Sequence, residues 1–176
     1  MAAESDLYPM RYSIGMFFIC VGIAVTLAGL FDLGQGNLFL GAGFVLGAIA
    51  TLAMVKRAKE RYGRPKRYQI MLLLFAVALE VAVIYFLNSN AQFQSLPDYV
   101  AQLVVLAVVS AHFMLMRWSF GPWVLKLGAA TLLWVGLAGI ATIPMTVVVA
   151  VYGILEFVFG VIMSAPLFFA QAAKAA

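Results

Sequence analysis

The stretch Ile140-Ala141-Thr142-Ile143-Pro144-Met145-Thr146 decides how many times this chain crosses a membrane. Apolar sequence runs on both sides of it, from Trp123 to Phe169. Read without a break, that region is one helix of roughly forty-five residues, too long for a hydrocarbon layer about 30 Å thick. Proline lacks the amide hydrogen a helix interior needs, and its ring crowds the preceding turn. A tight turn at Pro144 therefore divides the region into two spans, about 123–143 and 146–169.

Working outward, the same reading of apolar runs between polar or turn residues places four more helices at about 12–31, 38–55, 68–87 and 99–116. The links hold Asp32-Leu33-Gly34-Gln35-Gly36-Asn37, Gly63-Arg64-Pro65, Asn88-Ser89-Asn90, Pro97-Asp98 and Gly121-Pro122. The expected fold is all-α, a six-helix transmembrane bundle forming a single integral membrane domain over residues 1–176. Composition agrees: 65% of the 176 residues are apolar and 10% charged, against about 45–50% and 25% in soluble domains. Six spans of about 20 residues leave no room for a separate soluble domain.

Lysine and arginine test this division independently, because hydropathy placed the spans without them. With both ends cytoplasmic, all 11 basic residues fall on one side: Arg11, the 56–67 segment, Arg117, Lys126 and Lys174. The three links on the other side hold none, as the positive-inside rule requires. A span count of five would put Lys174 opposite Arg11. The segment before Arg11 carries Glu4 and Asp6 and no basic residue, unlike a secretory signal, so the first apolar run is expected to stay in the mature protein.

The only charge run is the cytoplasmic loop containing Lys56, Arg57, Lys59, Arg61, Arg64, Lys66 and Arg67. Such juxtamembrane clusters anchor topology and contact anionic lipid headgroups, and docking of an acidic soluble partner is the alternative. The formal charge of +4 has its explanation there, and nucleic acid is not an expected partner. Cys20 stands alone in an apolar run, as a small buried residue.

Three ionisable residues lie inside the spans: Glu80, His112 and Glu156. A charge at membrane depth costs about 2.5–3.5 kcal/mol on insertion scales, so such residues face a bundle interior or an aqueous cavity. At about 1.5 Å per residue, Glu80 and Glu156 both lie near mid-depth and His112 lies roughly 7 Å from the cytoplasmic edge. They are the candidates for binding an ion, a proton or a substrate, as a ladder with Arg117 at its mouth if their helices adjoin. The competing reading makes the two acids hydrogen-bonding glue between helices.

Gly153, Glu156, Gly160 and Ser164 recur at steps of three and four, placing Glu156 on a face of small residues where another helix can come close. Gly43, Gly47 and Thr51 form a similar packing face on the second span. The dipeptide Leu-Glu at 79–80 and 155–156 falls near mid-membrane in spans three and six, the arrangement expected of an inverted repeat of three helices.

One histidine cannot supply a bis-histidine haem or a His-rich metal site, and HExxH and GxSxG are absent. No metal, cofactor or catalytic residue is expected. The stretch Ala111-His112-Phe113, with Gly121-Pro122 and Leu127-Gly128-Ala129, resembles small uncharacterised bacterial multipass membrane proteins of the domain-of-unknown-function type. That resemblance implies a bacterial inner (plasma) membrane. The leading expectation for function is a small transporter or channel-like protein for a cation, a proton-coupled solute or a small molecule. A membrane accessory protein docking a partner through the basic loop is second, and an enzyme acting on lipid third. Membrane lipid, a second copy of the chain or another membrane protein are the expected partners.

Overall fold

The structure, a computed structural model, describes residues 8–31 and 36–175, with side chains at 8–31, 38–60 and 62–166. The segment 1–7, the link residues 32–35 and the side chains of Arg61 and Lys174 lie outside the described residues.

Eight helices are described: α1 Arg11–Phe31, α2 Gly36–Tyr62, α3 Arg67–Ser89, α4 Ala91–Gln94, α5 Asp98–Leu115, α6 Arg117–Phe120, α7 Pro122–Ala141 and α8 Met145–Ala175. No strand occurs among the described residues. Six of the helices, α1, α2, α3, α5, α7 and α8, are long and apolar enough to cross a membrane. The molecule is a multipass membrane protein.

Local chemistry sets the helix ends. The amide of Lys66 donates to Gln69 Oε1 at 3.0 Å, opening α3, and the amides of Gln92 and Phe93 donate to Asn90 Oδ1, opening α4. Gly121 lies at φ 88° and ψ −173°, backbone that only glycine adopts without strain, and Pro122 follows as the first residue of α7. The turn expected at Pro144 is present: α7 ends on Thr142 in the left-handed conformation, and α8 starts at Met145. Trp134 Nε1 donates across this turn to the Val148 carbonyl at 3.0 Å.

Two helices run well past their expected ends, α8 to Ala175 and α2 to Tyr62. Where the charge run predicts a connecting loop over 56–67, α2 continues as helix to Tyr62, leaving only residues 63–66 between helices. Hydropathy marks where the apolar run stops, not where the helix does, and Lys, Arg, Ala and Glu are all strong helix formers.

Contacts between spans run in opposite directions. Along α1, Gly15, Gly22 and Gly29 advance by seven, and the α8 residues they meet retreat by seven: Gly160, Gly153 and Thr146. This is an antiparallel seam of close backbone approach. A Cβ on Gly153 would fall 2.6 Å from the Gly22 carbonyl oxygen, and one on Gly160 would fall 2.7 Å from that of Gly15. The same opposition holds for α1 and α2, where Gly43 meets Cys20 and Ala24 while Gly47 meets Phe17. It holds for α5 and α7, where Gly128 meets Ser110 while Gly139 meets Leu103, and for α3 against α5 and α6, where Ala76 meets His112 while Gln69 meets Ser119.

Alternation through all six spans brings the start of α1, the α2–α3 link and the α5–α7 link to one end of the bundle. Arg11, Lys56, Arg57, Lys59, Arg64, Lys66, Arg67, Arg117 and Lys126 are therefore all at that end. The opposite end carries α4 and the Thr142–Pro144 turn.

Buried side chains from α1, α3, α5, α6, α7 and α8 build the core, among them Phe18, Phe113, Leu127, Tyr152 and Met163. Helix α2 adds only Ala58 to the buried apolar side chains among the described residues and is held mainly through α1. The neighbour pattern partly follows an inverted repeat: α1 packs on α2 and α8, and α5 packs on α7 and α3. The symmetry breaks because α7 packs on α8 whereas α2 and α3 share no comparable interface.

Candidate functional site

The core of this apolar bundle contains a polar cluster assembled from four helices. His112 on α5 is buried, and its Nδ1 lies 3.0 Å from the Ala76 carbonyl and 3.4 Å from Glu80 Oε2, both on α3. A carbonyl can only accept, so Nδ1 carries the hydrogen and shares it between the carbonyl and the carboxyl. Glu80 is 21% exposed and His112 5%. The histidine expected near the wet interface is thus shielded in the bundle with an acid beside it.

The second part of the cluster lies across α5, α7 and α8. Ser110 Oγ donates to the Leu106 carbonyl at 2.8 Å, and Thr131 Oγ1 donates to its own helix backbone at Leu127 and Gly128. Each hydroxyl has one hydrogen, so the 3.1 Å contact between Ser110 Oγ and the Tyr152 hydroxyl requires Tyr152 to donate. Tyr152 also meets Thr131. One turn further along α8, Glu156 shares the face of Tyr152.

Glu156 is 3% exposed, and its Oε2 has no hydrogen-bond partner. Among the described residues, buried side-chain polar atoms in that condition are few, and native interiors rarely leave one unsatisfied. Glu156 and Tyr152 form part of the wall of a cavity of about 600 Å³ that also touches Asn88, Phe93, Gln102 and Met145. Asn88 and Phe93 belong to the end of the bundle opposite the basic residues, so the cavity runs from that end to mid-depth. Val21, Val25, Val105 and Val149 make most of its remaining wall apolar. Glu80 and His112 are not part of that wall.

The other expected residues are placed as follows. Arg117, expected at the mouth of the ladder, is exposed on α6 with its guanidinium 4.2 Å from the centre of the Trp118 ring. Gly153 and Gly160 meet α1, and Gly43 and Gly47 also meet α1 from the other side. Lys56, Arg57, Lys59, Arg64, Lys66 and Arg67 are exposed at the basic end. Cys20 is a half-buried free thiol on α1. Among the described residues no three His, Cys, Asp or Glu side chains converge as metal ligands.

A family model covers residues 2–175, nearly the whole chain. The chain belongs to DUF6609, a family of unknown function. No curated protein and no solved structure matches it. Sequence reasoning picked out the ionisable members of the polar cluster in this DUF6609 protein but missed Ser110, Thr131 and Tyr152. Hydroxyl side chains are common in membrane helices and usually bond their own backbone. The one available signal was the spacing of Tyr152 and Glu156, four residues apart on one face.

Proposed function

We propose that this protein is a small plasma-membrane transporter with both ends in the cytoplasm, in which Glu156 takes up a cation or proton from the 600 Å³ cavity. The observation that carries this reading is the carboxyl of Glu156, buried at 3% exposure with Oε2 unpartnered on the cavity wall. Burying such a group uncompensated is costly, and a ligand that supplies positive charge or a hydrogen removes the cost. The apolar remainder of the wall suits a solute whose charged group is attached to an apolar body. Glu80, paired with His112 across α3 and α5, is the second acid of the polar cluster and the group assigned to receive a proton leaving Glu156. The positive-inside rule assigns the basic end to the cytoplasm, so the cavity faces outward.

The test is transport in proteoliposomes carrying a trapped pH-sensitive dye, with ethidium as the cationic solute. Wild-type protein is expected to dissipate an imposed pH gradient in an ethidium-dependent way, and Glu156→Gln to abolish this while keeping the wild-type elution profile and melting temperature. Absence of coupled flux in the wild type, or unchanged flux in the variant, overturns the reading.

A second reading, an accessory protein docking an acidic partner, is supported by the helical continuation of α2, which holds Lys56, Arg57 and Lys59 on a rigid exposed segment. It predicts that neutralising Lys59, Arg61, Arg64 and Lys66 abolishes co-purification of a partner without inverting topology; a preserved complex counts against it.

A further inference from the structure

A separate cavity of about 450 Å³ lies at the basic end, where α2 and α3 leave a wedge between them. Its wall takes Met10 and Ile14 from α1 and the residue before it, Val55 and Lys59 from α2, Ile70 and Leu73 from α3, with Phe120 of α6 behind and Arg64 in the link. The size falls within the range of about 300–1,000 Å³ typical of ligand sites. Two polar side chains in the wall are already satisfied by the protein. Ser13 Oγ donates to the Met10 carbonyl at 3.1 Å, and Thr51 Oγ1 donates to the Ser13 carbonyl at 3.2 Å. Lys59 and Arg64 differ: among the described residues, no carboxylate pairs with either. The cavity thus joins an apolar interior to two cations that no carboxylate pairs among the described residues, at the basic end of the bundle.

We infer that this cavity is a binding site for one anionic phospholipid, with the phosphate held by Lys59 and Arg64 and an acyl chain lying among Ile14, Val55, Ile70 and Leu73. The occupant's shape follows from the wedge. Two membrane-spanning helices joined by a link of four residues, 63–66, share no interface comparable with those of the other neighbouring helices. A chain entering sideways between them supplies the missing contacts. The charge follows from the pair of cations, which attract the anionic lipids of a cytoplasmic leaflet. The inference is independent of the transport reading, since none of these residues belongs to the Glu156 cavity.

Lipid retention tests it. Protein extracted from membranes containing phosphatidylglycerol and phosphatidylcholine is measured by native mass spectrometry, and its melting temperature is recorded as phosphatidylglycerol is added back. Wild-type protein is expected to retain one phosphatidylglycerol in preference to phosphatidylcholine and to be stabilised by it. Lys59→Ala with Arg64→Ala is expected to lower retention on the order of tenfold. Val55→Phe, which fills the wedge without changing charge, is expected to lower it as well.

Lys56→Ala with Arg57→Ala removes the same charge outside the cavity wall and is expected to leave retention unchanged. Equal loss in both double variants would overturn the site in favour of diffuse attraction to headgroups. Displacement of the lipid by millimolar inorganic phosphate would overturn the acyl-chain component. Lack of a preference in the wild type would sink the proposal whatever the variants do.

Discussion

Tyr152 on the last span gives its hydroxyl hydrogen to Ser110 on the fourth, across 3.1 Å and 42 residues of sequence. This bond ties α8 to α5 at mid-membrane, beside the only buried carboxyl on the cavity wall among the described residues. In hydrocarbon such interhelical bonds contribute about 0.6 kcal/mol on average and up to about 1.7. Tyr152→Phe is expected to lower stability by an amount in that range, read from unfolding titrations in mixed micelles. Ser110→Ala should lose a similar amount, and the two losses should not add. Full additivity would mean that the hydroxyls do not bond each other.

The His112 and Glu80 pair makes a related prediction. His112→Ala leaves the Ala76 carbonyl and the Glu80 carboxyl without their shared donor, whereas His112→Ala in a Glu80→Ala background removes only the carbonyl's partner. A double-mutant cycle should therefore give a coupling of about 0.5 kcal/mol or more. Zero coupling would show that the 3.4 Å approach carries no energy.

The antiparallel glycine seam predicts sharp position dependence. Gly153→Leu cannot be accommodated, because even a Cβ would come within 2.6 Å of the Gly22 carbonyl oxygen. Gly136, by contrast, has nothing within 4 Å of an added Cβ. Gly136→Ala is expected to stabilise by about 0.5–1 kcal/mol through helix propensity, while Gly153→Leu should abolish recovery of folded, monodisperse protein. Comparable yields of the two variants would contradict the seam.

Gly121 tests the turn that starts α7. At φ 88° and ψ −173° any side chain is strained, and a Cβ would lie 2.9 Å from the Tyr8 ring. Gly121→Ala should cost about 1–3 kcal/mol of stability. Shortening Tyr8 to Ala in the same protein should relieve the contact but not the backbone strain. Complete rescue would locate the whole cost in the ring.

The alternation of helix directions predicts which links share a side. In a Cys20→Ala background, Arg64→Cys and Lys66→Cys should react with a membrane-impermeant thiol reagent from one face of the membrane, and Gln94→Cys and Ser95→Cys from the other. Labelling of all four from the same face would refute six alternating crossings.

Much of this architecture was legible in the sequence, because two unrelated physical signals agreed on it. Apolar length sets where a helix can satisfy its backbone inside hydrocarbon, and basic charge sets which links stay on one side. Neither depends on which helices touch. The break at Pro144 was readable because the apolar run 123–169 is too long for one crossing and proline disfavours a helix interior; Pro166, inside α8, shows that proline alone does not end a helix. The helical continuation of α2 to Tyr62 was missed because charge ends hydropathy without ending helix propensity.

The tertiary structure alone decided which spans are neighbours, and with that the chemistry. Glu80, His112 and Glu156 could be nominated one by one, since isolated ionisable groups in apolar runs stand out. Their partners could not be, because Ala76, Ser110, Thr131 and Tyr152 acquire meaning only when α3, α5, α7 and α8 bring them within hydrogen-bond reach. The same packing turned Arg117 out over Trp118 and left Glu156 Oε2 unpartnered beside a cavity. Periodicity records which side of a helix a residue occupies, whereas the group across from it depends on contacts between distant parts of the chain.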